Sequence, residues 1–135
     1  MPDEPRNSRP ARALVTILPC TDLDAAQVFF ARLGFAKTGG VQEYRILEDA
    51  AGAEIHLQPA VEGWLIAGRN PFGVYLRTPD VDRLADVFAG EIIEAAQRAT
   101  HKPWGMYEFA LNGPDDLLVR VGWPSRSMRD DDRSP

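Results

Sequence analysis

Cysteine is close to absent: Cys20 is the only one among 135 residues. That excludes an intramolecular disulfide and a cluster of thiolate metal ligands. No apolar run approaches the roughly 20 residues that cross a bilayer, so no membrane helix is expected. Phosphate-cradling glycine loops, a dinucleotide fingerprint and the serine of a nucleophile elbow are all missing. Basic residues are in short supply, 15 against 20 acidic ones, for a net charge of −5. Such a chain is a poor general binder of nucleic-acid phosphates. The first ten residues sum to zero charge and so do the last twelve, which leaves the whole deficit in residues 11–123. An acidic centre suits a neutral or cationic ligand better than an anionic one. Residues 1–10 lack the apolar centre of a signal peptide, and a cytoplasmic location is the resulting expectation.

What remains is an ordinary globular composition, 44% hydrophobic and 26% charged. A chain of this length buries about two thirds of its unfolded surface, enough to hold a core without covalent staples. The ends, 1–11 and 124–135, are polar, lack an apolar period, and read as flexible tails.

Between them, residues 12–18 are apolar and partly β-branched, the pattern of a strand closed by Pro19. Thr21 or Asp22 caps a helix in which Val28, Phe29 and Leu33 recur at helical spacing, and Gly34 ends it. Strands are predicted at about 35–39, 42–48 and 53–58, with Gly39-Gly40 and residues 50–52 as turns. A linker spans 59–71. The second half restarts with a strand at 73–78 and a helix opened by Asp80-Val81-Asp82, with Val81, Leu84, Val87 and Phe88 on one face. Residues 92–96 suit either strand or helix, and 100–105 read as a loop. Strands follow at 106–112 and 117–122, separated by a turn at 113–116. Asp22-Leu23-Asp24 lies 58 residues before Asp80-Val81-Asp82, and Phe30 lies 58 before Phe88. The repeated order of elements, more than the slight sequence echo, marks a duplication.

Three segments carry a family resemblance. They are Leu18-Pro19-Cys20-Thr21-Asp22-Leu23-Asp24 running to Leu33-Gly34-Phe35, the strand Glu54-Ile55-His56-Leu57-Gln58, and Pro103-Trp104-Gly105-Met106-Tyr107-Glu108-Phe109-Ala110-Leu111 followed by Gly113-Pro114-Asp115-Asp116. In their order and spacing, the chain resembles the glyoxalase/bleomycin-resistance/dioxygenase (vicinal oxygen chelate) superfamily. The bleomycin-resistance branch is the most similar. The resemblance implies an α+β fold, with two βαβββ modules forming a curled mixed sheet around a cleft. One domain, 12–123, would hold modules at about 12–58 and 72–122. Enzymes of the superfamily hold a divalent metal with one residue from the first and last strand of each module. The corresponding positions are Val15, His56, Val74 and Arg120. Two valines and a guanidinium cannot ligate, so neither a metal nor another cofactor is expected.

Strand parity supplies an independent reading. Side chains alternate between faces, so Ile55 and Leu57 suit a helix-packed side, while Glu54, His56 and Gln58 face the other. By the same logic Leu117, Val119 and Val121 point to the core, and Leu118 and Arg120 away from it. Glu108 joins the polar face from its own strand. Arg120 is either a structural partner of Glu108 or Glu54, or a ligand contact. His56 reads as a hydrogen-bonding pocket residue. Trp64 and Trp104 lie in loops and offer aromatic walls to a ligand, whereas Trp123 suits packing. Cys20 has no His or Asp partner in view, which argues against a catalytic thiol, and His101, in a loop beside Lys102, reads as solvated.

The resemblance, the lost metal ligands and the acidic centre together imply a metal-free protein that sequesters an aromatic or cationic small molecule. The resemblance implies a bleomycin-type antibiotic as ligand and a homodimer as assembly. The alternatives are a lyase, isomerase or dioxygenase-like enzyme with an altered site, using His56 as base, and a non-catalytic partner protein. Membrane and nucleic-acid partners are not expected.

Overall fold

The computed structural model describes residues 12–128. The expected tail at 1–11 and the end of the other, 129–135, lie outside them. The chain divides into two units at Ala60/Val61.

The first unit runs β1 (Thr16–Cys20), α1 (Leu23–Arg32), β2 (Ala36–Val41), β3 (Tyr44–Glu48) and β4 (Glu54–Pro59). Its sheet has the order β1-β4-β3-β2, with β1 parallel to β4 and the other pairs antiparallel. Asp22 opens α1: its carboxylate accepts from the Ala25 amide at 3.0 Å. Gly34, at φ +101°, takes the left-handed turn that ends the helix. The buried helix residues are Ala26 and Phe30, followed by Leu33, spaced i, i+4, i+7. The expected core residue Val28 is instead 63% exposed. In β3 and β4, Arg45, Leu47, Ile55 and Leu57 are buried, and their neighbours alternate to the opposite face.

Arg45 is the one charged group among them. Its guanidinium donates to Asp24 and Gln27 of α1, both at 2.9 Å, and to the Gln42 carbonyl at 2.9 Å. These bonds tie helix to sheet. The glycine pair is not the expected turn. Gly39-Gly40 lies inside β2, past a bulge, and the hairpin turns at residues 42–43 instead. Gly40 has φ +86°, and a Cβ there would collide with the Tyr44 carbonyl, so the position admits only glycine.

The second unit repeats this order with β5 (Gly73–Arg77), α2 (Val81–Val87), β6 (Thr100–His101), β7 (Met106–Asn112) and β8 (Leu118–Pro124). Its sheet order, β5-β8-β7-β6, matches the first, with β5 parallel to β8. Val81, Leu84 and Phe88 are buried, as are Phe109 and Leu111 of β7 and Val119 and Val121 of β8. Val87, an expected core residue, is 42% exposed. Residues 92–96 are irregular, held by a single bridge between Ile92 and Leu111. The segment expected to be all loop begins as edge strand β6 and then turns over 102–105. The expected tail boundary at 124 also moves. Pro124 ends β8, residues 125–128 are helical, and Ser125 is buried.

The α+β class and the two βαβββ modules are therefore present. Each module forms one four-stranded mixed sheet, and neither sheet is closed. Among the described residues no helix is long and apolar enough to cross a membrane.

Candidate functional site

Each unit carries one polar cluster on the sheet face away from its helix. In the second unit the register sets Tyr75 beside Arg120 and Glu108 beside Gly122. A Cβ on Gly122 would collide with the Tyr75 hydroxyl and lie 2.7 Å from the Glu108 Cβ. The bare glycine is what lets the phenol reach across β8. The Tyr75 hydroxyl donates to Glu108 Oε1 at 2.8 Å, and the indole N–H of Trp104 donates to the same oxygen at 3.2 Å. Nε of Arg120 lies 3.7 Å from Glu108 Oε2. The guanidinium also sits over the Trp104 ring, 5.7 Å from its centroid.

Burial differs sharply within this cluster. Glu108 is 2% exposed, while Trp104 is 58% exposed and the Arg120 side chain 42%. Glu108 stands on the polar face that its strand parity implies, and Tyr75, Trp104 and Arg120 cover it there. Burial raises the Tyr75 pKa well above the usual phenol range, reinforced by the hydrogen bond to Glu108 and by its negative charge. Of the two partners weighed for Arg120, the ion pair is with Glu108.

In the first unit, Tyr44 Oη lies 2.8 Å from His56 Nδ1, and His56 Nε2 lies 2.7 Å from Glu54 Oε2. An ionised carboxylate only accepts, so the neutral ring carries its proton on Nε2 and Nδ1 accepts from the phenol. Glu54 thus fixes the tautomer and the ring plane. Gln58 shares this face and is half-buried. Trp64 is 56% exposed in the linker.

The register also corrects two positions compared with family metal ligands. Ile17, not Val15, stands beside His56; Tyr75, not Val74, stands beside Arg120. Val74 pairs with core residue Val119, on the opposite face. Neither unit fits a divalent ion at these positions. An isoleucine has no lone pair beside the one histidine, and the phenol's neighbour is a cation. Among the described residues no group of three or more His, Cys, Asp or Glu could hold a metal.

Sequence reasoning passed over Tyr44 and Tyr75. Strand parity in 42–48 places Tyr44 with His56, and the 58-residue repeat maps Ile17 onto Tyr75. His101, expected to be solvated, bonds Ser125 Oγ through Nδ1 at 2.8 Å and packs on Tyr107. Cys20 is buried and donates its thiol to the Leu18 carbonyl.

No family model and no curated protein matches the chain. Solved structures do. A bleomycin resistance determinant encoded on the transposon Tn5 is 23% identical, with TM-score 0.69 over 84% of this chain and 98% of that one. A bleomycin-binding protein complexed with bleomycin is 22% identical, with TM-score 0.69 over the same shares. A lactoylglutathione lyase from Agrobacterium tumefaciens is 18% identical, with TM-score 0.63 over 87% and 96%. Together with the duplicated βαβββ topology, these likenesses show that the chain has the glyoxalase/bleomycin-resistance fold, that of the vicinal oxygen chelate superfamily.

Proposed function

We propose that the protein is a metal-free binder that sequesters an aromatic or cationic small molecule, in the manner of a bleomycin-resistance protein. The observation that carries this reading is the exposed pair of Trp104 and Arg120, held in place by buried Glu108. An indole fixed through its N–H, with Arg120 over one side, leaves its exposed remainder for stacking, and a flat ligand gains contact at little ordering cost. The fold neighbour complexed with bleomycin supports a bleomycin-type antibiotic as a ligand to test first. On the first unit, the face that carries His56, Glu54 and Gln58 is proposed as a set of polar ligand contacts in its own right, and Trp64, in the linker, as an aromatic one. We further propose a single domain over 12–123 that works as a cytoplasmic homodimer. Light scattering at micromolar concentration should return twice the chain mass.

The test is a bleomycin titration followed by tryptophan fluorescence, repeated in Trp104→Phe and Trp64→Phe. Saturable quenching, reduced in Trp104→Phe, is the expected result. No change up to roughly millimolar ligand, where a binding free energy of about −4 kcal/mol would register, removes the drug-binding reading.

A second reading, an enzyme using acid–base chemistry, draws on one observation. His56 is aligned between Glu54 and Tyr44, so its basic Nδ1 is oriented and within reach of a proton. That reading requires a turnover lost in His56→Ala while the fold is kept.

A further inference from the structure

We infer that the Trp104–Arg120 platform is a carboxylate site, and that its ligand is a small aromatic anion. This rests on the small-molecule reading above and narrows it, against the cationic ligand that the overall charge favours.

Glu108 is the acid of this cluster. It is the only carboxylate that β5, β7 or β8 places on this face, and it is not available to a cation. It is 2% exposed, and one oxygen already accepts from Tyr75 and Trp104. Its other oxygen faces Arg120. A ligand ammonium would have to displace these groups to reach it, breaking bonds to a buried charge.

Arg120 is in the opposite condition. Its nearest carboxylate contact, at 3.7 Å, is too long for a hydrogen bond, and its guanidinium donates to no group among the described residues. Five N–H donors are thus unspent on a side chain 42% open to solvent. The fork lies over the Trp104 ring, its carbon 5.7 Å from the ring centroid, within cation–π range. A planar donor set beside an exposed indole matches a carboxylate attached to a flat ring. The acid takes the fork and the ring takes the stack.

The remaining charges agree. Arg77 shares the face from β5, is exposed, and makes no ion pair among the described residues. At the β6 edge Lys102 and Glu94 neutralise each other at 2.9 Å. Two guanidinium groups against one buried carboxylate leave this face positive within a chain whose net charge is −5. Attraction at the site depends on this local charge, because more distant groups are screened beyond about 10 Å at ordinary salt.

The experiment is calorimetric titration of the full chain with 2-naphthoate, with naphthalene-2-methylammonium as a cation of the same ring, and with bleomycin. Naphthoate should bind, more weakly as sodium chloride rises, and more tightly than the cation. Arg120→Gln should weaken naphthoate binding roughly tenfold or more, and Arg120→Lys, which keeps the charge but loses the fork, by less. The salt dependence is read on the unaltered protein, so it stands if a variant fails to fold. Tighter binding of the cation or of bleomycin, or naphthoate binding indifferent to Arg120 and to salt, overturns the carboxylate site and leaves the small-molecule reading standing. Silence from all three ligands overturns both.

Discussion

At the scale of single residues, the second unit turns on a missing side chain. Gly122 contributes nothing but space, and Tyr75 and Glu108 meet through it. Gly122→Ala should push the phenol off the carboxylate. We expect a stability loss of about 1–3 kcal/mol in urea unfolding, typical of a forced fit, and a changed Trp104 emission. An unchanged midpoint would mean that the tyrosine moves freely. Tyr75 also sets an alkaline limit. Its folded pKa lies above the ordinary value near 10. A raised folded pKa contributes stability that is fully present below about pH 10 and is lost as pH rises through the folded value. Tyr75→Phe should therefore show a shallower fall in stability above pH 10 than the parent. An equally steep fall would place the alkaline limit elsewhere.

Residues of this kind are where sequence reading reached its limit. His56, Glu54 and Arg120 were legible because alternation along one strand assigns a face. Tyr75 was not, because Val74 and Tyr75 sit in a short run where either parity is plausible. The 58-residue repeat resolves it: Phe30 maps onto Phe88, and the same offset maps Ile17, beside His56, onto Tyr75, beside Arg120. Burial of Glu108 could not be read either, since its cover comes from a loop and two neighbouring strands.

Among the elements, α1 was found with its Asp22 cap but with the exposed Val28 on its expected packing face, whereas in α2 only Val87 was misplaced. Val28 and Phe29 lead into the same hydrophobic run as Ala26 and Phe30, and periodicity over ten residues does not fix the phase when apolar residues are adjacent. The structure fixes it through Arg45, which reaches Asp24 and Gln27 and so orients α1 on the sheet. Phe30→Ala should cost about 3–5 kcal/mol in chemical unfolding, whereas Val28→Ala, at a 63% exposed site, should stay within about 0.5 kcal/mol. The reverse order would place the packing face where the sequence first suggested. Gly39-Gly40 misled for a related reason. Glycine marks either a turn or a strand position needing left-handed backbone, and here Gly40 serves the hairpin from inside β2.

For the whole molecule, the duplicated order of elements was the strongest signal, and it survives as two sheets of identical strand order. Net charge was the weakest. It sums acids over the whole chain, while Glu108 is the one carboxylate that β5, β7 or β8 places on the second unit's face beside Arg77 and Arg120, so a total of −5 coexists with two guanidinium groups there. The central claim is that a small molecule stacks on Trp104. Its most direct measurement is the indole N–H region of a ¹H–¹⁵N spectrum during addition of bleomycin and, separately, 2-naphthoate. The Trp104 resonance should move saturably with at least one of them, because its N–H bond to Glu108 responds to anything placed on the ring, while Trp123 stays in place. No movement of the Trp104 resonance up to roughly millimolar ligand, or movement of Trp123 alone, would contradict it.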